Sequence, residues 1–299
     1  MSNFLHCKPY YMTTSLEHLP ANRQQQLMAI TKIVHTAIHP EKIILFGMYT
    51  PSAGGSALYD DPSFPPFLVS YDLLVVTRRG DRRYDYEVQD IVENRCHFST
   101  AVNVLVHDID YVNEQMSAGH YFFSFVLREA ILLYDAGTIP LTEGRQPDLA
   151  LIRALAEKDF QRWWLRATAF LKNALFSKQQ QEPKIAAFLL HQAAEQAYQA
   201  ILLAFTGYKP CTHNLDKLRR YTNRFALELG LLFPRNTPEE DQLFKILLQG
   251  YVDARYKEEY AITEEQLDRL IERIGRLLSI ATRVCRNRFL SLEKMAAGV

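Results

Sequence analysis

No run of apolar residues in this chain approaches the ~20 needed to span a bilayer, and its first residues lack the basic-then-apolar pattern of a secretory leader. A cytoplasmic protein with no membrane partner is therefore expected. Cysteine is scarce as well. Cys7, Cys96, Cys211 and Cys285 stand far apart, with no Cys-x-x-Cys pair and no histidine at metal-finger spacing. That pattern excludes a disulfide-stapled scaffold and a zinc finger, and predicts reduced thiols. Net charge is absent too, with 34 Lys and Arg against 34 Asp and Glu. The zero hides an asymmetry: up to residue 147 there are 11 bases against 16 acids, and after it 23 against 18. A basic second half suits a polyanion ligand, or simply attraction between the halves. Core material is plentiful: 48% of the 299 residues are hydrophobic, enough to fill two domains of ordinary size.

Periodicity divides the chain in the same place. Leu27, Ile30, Ile33, Val34 and Ala37 recur at helical spacing over 20–38. A strand follows at 43–46, closed by Gly47, then a turn-rich loop over 48–66 and a second strand from about Phe67. A short helix is expected at 84–94, a third strand at 101–106, a helix from about 110 to 129, and a last strand from Ala130. Helices alternating with strands predict an α/β layer with one face covered over 1–136. Residues 137–147, punctuated by Gly and Pro, are expected to be a linker. Beyond them strand signals vanish. Periodic segments at 149–178, 183–206, 213–229, 238–256 and 263–290 predict an all-α helical bundle over 148–299.

The first half raises the question of its acids. Two metal ions held for phosphoryl transfer need oxygen ligands gathered on one edge of a sheet. Here Lys-Ile-Ile-Leu-Phe-Gly is followed by Tyr-Asp-Leu-Leu-Val-Val, with Asp72 inside the second strand. These residues resemble the minimal nucleotidyltransferase domain of the polymerase β superfamily, over roughly residues 20–136. The resemblance implies a Gly-Ser pair after the first strand, two aspartates one residue apart on the second, and a further acid on the third. Gly47 matches the glycine, but Met48 stands for the serine, Ser70 for the first aspartate and Asn103 for the third acid, leaving Asp72 alone. One carboxylate cannot neutralise two divalent cations, so magnesium at Asp72 is expected to be weak and the domain degenerate. Asp60, Asp61 or Asp108 is the alternative source of ligands. Asp72 itself reads either as a remnant of nucleotide binding, with Gly47, Ser70 and Asn103, or as a polar strand-end residue.

In the second half polar groups interrupt apolar faces at three places: His191-Gln-Ala-Ala-Glu195, the Thr-His213-Asn-Leu step, and Tyr251-Val-Asp-Ala-Arg255-Tyr. His191 and Glu195 lie one turn apart on one helical face, suiting either a buried hydrogen bond at a helix crossing or a ligand site. In this order the segments resemble the HEPN domain over most of 150–290, a helical bundle that often dimerises. Many members are metal-independent ribonucleases with an arginine followed four to six residues later by a histidine. Arg255 matches the arginine, but Tyr256 to Ile262 contain no histidine. Cleavage by 2′-hydroxyl attack needs a base near neutral pKa, which neither arginine nor Tyr260 supplies; His213 or His191 would have to reach in from another helix. The resemblance therefore implies a nucleotide- or RNA-phosphate-binding homodimer rather than an enzyme, with His191, Glu195, His213, Arg255 and Tyr260 as candidate ligand residues. An active nucleotidyltransferase or HEPN ribonuclease, with Asp72 or Arg255 catalytic, stays open, as does a regulatory or toxin–antitoxin role. Arg269, Arg273, Arg276 and Arg283 on the last helix read as a phosphate track or, with acids interleaved, as a solvated face; Trp163, Trp164 and Tyr198 read as packing.

Overall fold

The computed structural model describes residues 12–49, 70–96, 101–126, 130–144 and 148–297. The chain divides into two compact units, Met1–Pro147 and Asp148–Val299.

The first unit is built on a small mixed sheet. Its strands are β1 (Lys42–Tyr49), β2 (Ser70–Thr77), β3 (Ala101–Asp108) and β4 (Ile131–Asp135), ordered β3-β2-β1-β4. β1 runs antiparallel to both β2 and β4, while β2 and β3 are parallel and joined through α2 (Asp85–Cys96). Alternation along the strands sends Ile43, Leu45, Tyr71, Leu73, Val75, Val102, Val104 and Val106 to one face. There they pack on Leu27, Ile30 and Val34 of α1 (Ala21–Ile38) and on Val88 and Val92 of α2. The same alternation puts Asp72 and Asn103 on the opposite face, away from that helical layer.

Three expectations need correction in this unit. Gly47 does not close the first strand: β1 continues through Met48 and Tyr49, which pair with Tyr71 and Ser70, and a bulge at Phe46 takes up the irregularity. The rest of the loop, 50–66, including Asp60 and Asp61, lies outside the described residues, as does Phe67. The helix expected over 110–129 is instead α3 (Ile109–Ser117), ended by Gly119 at φ 73° and followed by a π-helical turn, Phe122–Val126. Glycine adopts that left-handed backbone without the Cβ clash that penalises other residues. Within 137–147, the Glu41 carboxylate accepts from Thr138 and Ile139 backbone N–H groups, and Asn113 bonds both Thr142 N–H and the Pro140 carbonyl. That part of the segment is therefore tied to the first unit.

The second unit is a helical bundle. α4 (Leu149–Gln179) and α10 (Glu264–Ala297) flank α5 (Pro183–Thr206), whose alanines at 186, 187, 193, 194 and 197 are fully buried and let neighbours approach closely. The segments expected as single helices at 213–229 and 238–256 each break in two. They give α6 (Leu215–Asn223) with α7 (Leu227–Leu231), and α8 (Pro238–Gln249) with the single turn α9 (Asp253–Tyr256). The second break follows Gly250, which sits against the Ala187 carbonyl: a Cβ there would lie 2.9 Å from that oxygen. Helix α8 thus stops where its backbone meets α5, and the chain turns to present 251–256. No described helix is long and apolar enough to cross a membrane.

Candidate functional site

In the first unit the strand register sets Asp72 opposite Asn103 and Gly47 opposite Asp72. The Asn103 Nδ2 donates to Asp72 Oδ1 at 2.7 Å, and the two residues are 2% and 1% exposed, with Ser70 also buried. A carboxylate held this way already has a neutral amide partner where a second acid would help bind a metal ion. Asp108, the alternative ligand, lies at the far end of β3, where it caps α3 by accepting from the Tyr111 N–H at 2.9 Å. Among the described residues no group of three or more His, Cys, Asp or Glu side chains is arranged to hold a metal ion.

The second unit gathers most of its candidates. Helix α5 places His191 and Glu195 one turn apart, both buried, at 1% and 5% exposure. His213 precedes α6, whose N-terminus is capped by Asn214 accepting from Asp216 and Lys217 N–H groups. That cap fixes where the preceding residue points: His213 Nδ1 comes 3.0 Å from Glu195 Oε1 while the ring remains 63% exposed. Gln192 Nε2 donates to the other Glu195 oxygen at 3.3 Å. The Glu195 carboxylate, buried and acceptor-only, thus faces a ring nitrogen and an amide that can donate to it.

The piece that joins these groups is Tyr251, which the sequence reading did not single out. Its ring stacks with His191 and with His213, each at 5.1 Å between centroids and at 26° and 15° between planes. Arg255, four residues on, donates from Nε to the Tyr251 carbonyl at 2.6 Å, and its guanidinium lies 4.7 Å from the Tyr251 centroid. It also lies 5.0 Å from the rings of Phe188 and Tyr256. Its side chain is exposed. The cation rests against three aromatic rings, and its terminal nitrogens make no hydrogen bond or ion pair among the described residues, which leaves them to a bidentate anion. The only signal of Tyr251 in the sequence was its spacing of four from Arg255.

Electrostatics follow the same geometry. Burial holds the His191 imidazole down to about 3, and the neighbouring His213 and Arg255 push in the same direction. His191 is therefore a neutral ring at physiological pH, a stacking surface rather than a charge.

Tyr260 is not part of this constellation. It is 7% exposed, its hydroxyl donates to the Ile246 carbonyl at 3.1 Å, and burial raises its pKa. It is a core residue locking α8 to the segment before α10. Tyr198 is fully buried and Trp164 packs on the core, while Trp163 lies under the cations of Arg166 and Lys209. On α10, Arg273 lies over Phe233 and Arg283 pairs with Glu228, so these two arginines are engaged within the unit.

Residues 160–284 match the model of the HEPN domain, and the cluster of His191, Glu195, His213, Tyr251 and Arg255 lies inside that span. No curated protein matches the chain. Among solved structures, an archaeal HEPN homologue is similar at 22% identity, over 42% of this chain and 97% of its own, with a TM-score of 0.31.

Proposed function

We propose that the HEPN unit binds a phosphate ester, a nucleotide or an RNA backbone, through Arg255, and that the first unit is a nucleotidyltransferase-like domain whose metal site has lost its acids. The observation that carries the first part is the Arg255 guanidinium: exposed, fixed by its Nε to a backbone carbonyl, and laid against the rings of Phe188, Tyr251 and Tyr256. A guanidinium already immobilised loses little rotamer entropy on gripping a phosphate, and its planar fork matches two phosphate oxygens. His213 adds a second polar edge beside it, set by Glu195. The buried Asp72–Asn103 hydrogen bond supports the second part, because it occupies the remaining carboxylate with a neutral partner.

The test is a thermal-shift panel of nucleoside mono-, di- and triphosphates and a short RNA, with and without magnesium, on wild type, Arg255→Ala and Asp72→Ala. A ligand at 100 times its dissociation constant adds about 2.7 kcal/mol. The expected result is a magnesium-independent shift that Arg255→Ala removes and Asp72→Ala keeps. A shift that needs magnesium and Asp72 would move the ligand to the first unit; no shift with any of them would sink the reading.

One observation favours a second reading, RNA cleavage. His213 and Arg255 both lie against the Tyr251 ring, so an imidazole from outside the segment after Arg255 shares that ring with the proposed phosphate-binding cation. Its Nδ1 is turned to Glu195, which leaves Nε2 to take a 2′-hydroxyl proton. Incubation of the protein with RNA and with its 2′-O-methyl counterpart decides this: cleavage of the first alone, lost in His213→Gln, supports it, and intact RNA rejects it.

A further inference from the structure

A second patch, in the first unit, combines cations and open aromatic faces. The run Arg78-Arg-Gly-Asp-Arg-Arg-Tyr-Asp-Tyr86 joins β2 to α2 and holds four of the eleven Lys and Arg residues before residue 148. An otherwise acidic unit thus concentrates its positive charge in one connection.

The structure sorts those arginines into two kinds. Arg83 holds the loop: its guanidinium donates to both Asp81 oxygens, at 2.9 and 2.5 Å, and to the Ile38 carbonyl at 2.8 Å. Arg79 forms a two-point pair with Asp110 at 2.7 and 2.5 Å. The turn itself is closed by the Asp81 N–H donating to the Arg78 carbonyl, with Gly80 at φ 79°. Of the acids nearby, Asp81 and Asp110 are paired with these arginines, Glu87 accepts from the Tyr84 N–H at 2.9 Å, and Asp85 stands 3.6 Å from His107, a ring that burial keeps neutral. Arg78 and Arg82 are exposed and have no acidic partner among the described residues. The loop thus presents two arginines outside any ion pair among the described residues, on a backbone that the other two arginines hold in shape.

Beside them stand Tyr84 and Tyr86, 65% and 60% exposed, with rings 5.4 Å apart and 8° from parallel. A stacked tyrosine pair in water leaves an outer π-face on each ring, and burying those faces against a further ring gains what solvent does not supply. Tyrosine faces next to unpaired arginines are the two elements by which proteins hold single-stranded nucleic acid: bases stack on the aromatics and phosphates meet the cations. Asp72 lies five residues back from the end of β2, about 17 Å away at the usual rise of a strand, so the patch is separate from the acid face of the sheet.

We infer that the Arg78–Tyr86 connection binds single-stranded nucleic acid, with Tyr84 and Tyr86 stacking bases and Arg78 and Arg82 contacting phosphates. The inference is independent of Arg255 and of the reading given for the HEPN unit.

The experiment is fluorescence anisotropy of labelled oligouridine and oligothymidine, each about twelve nucleotides, with a duplex of the same length as control. Wild type is compared with Arg255→Ala, Tyr84→Ser/Tyr86→Ser and Arg78→Ala/Arg82→Ala in the full-length chain. All four substituted loop side chains are exposed, and melting temperatures check that each variant is folded. Expected is a preference for single strands, weakened about tenfold or more by the tyrosine pair. The arginine pair should reduce the slope of log affinity against log salt by roughly 1.4, two phosphate contacts' worth. Arg255→Ala in the same assay should keep the portion of binding that the loop variants remove. Binding of RNA and DNA alike assigns the patch to bases and phosphates, and RNA alone adds a 2′-hydroxyl contact; either supports the inference. No binding at low salt, equal binding of duplex, or binding unchanged in both loop variants would overturn it.

Discussion

Acidification should loosen the second unit through His191. The ring is 1% exposed, and burial, with His213 and Arg255 nearby, holds its pKa down to about 3, against about 6.5 in an unfolded chain. Because the folded value is the lower one, the folded unit keeps His191 neutral while the unfolded chain takes up a proton. The stabilisation is thus fully present above about pH 6.5 and is withdrawn as the pH falls from there toward 3. Each pH unit in that window costs about 1.4 kcal/mol, so at pH 5 the loss is about 2 kcal/mol. For a unit of this size that is a fall of roughly 4–8 °C in melting temperature. Both tryptophans of the chain, Trp163 and Trp164, lie in this unit, so their fluorescence follows its unfolding separately from that of the first. Melting of wild type and His191→Gln is compared at pH 7.5 and 5. The substitution sacrifices the stacking on Tyr251 at both values, and the difference between the two shifts isolates the imidazole. Equal shifts in the two proteins would refute the account of His191 as a buried neutral ring.

Two further substitutions test the packing and the first unit. Gly250→Ala drives a methyl group to 2.9 Å from the Ala187 carbonyl and 3.1 Å from that of Leu247, both backbone atoms, and should destabilise by about 1–3 kcal/mol in urea unfolding; an unchanged midpoint would mean that α8 and α5 approach less closely than described. Asp72→Ala leaves the buried Asn103 amide without its 2.7 Å acceptor and should also destabilise by about 1–3 kcal/mol, whereas magnesium should leave the wild-type melting temperature unchanged. A magnesium-dependent rise of several degrees would show that the site binds the ion after all.

Local chemistry was legible where one element decides it. The helical face of 20–38 and the Pro183 start of α5 are read from periodicity and the helical-start chemistry of proline, and the described helices agree with both. Asn103 matches the place of the third acid, and the strand register sets it opposite Asp72; the hydrogen bond between the two side chains is not read from the sequence. Helix breaks were less legible. Gly119 ends α3 because the chain turns there, and α8 stops where Gly250 meets the α5 backbone; the second cause lies in another element and leaves no local mark.

The sequence by itself determined which polar residues interrupt apolar faces: His191, Glu195, His213 and Arg255 stand where no periodic pattern asks for them. It also fixed a buried neighbourhood for Asp72, inside a strand apolar on both faces. Only the tertiary structure decided how they meet. Tyr251 becomes the common surface of two imidazoles and a guanidinium because α5, the cap of α6 and the turn after α8 converge on it, residues separated by up to 64 positions in the chain. Tyr260, equally plausible from its spacing after Arg255, turns inward to the Ile246 carbonyl instead. Spacing along a chain specifies which face of one helix a residue shares; the direction in which a neighbouring helix packs determines which of those faces come together.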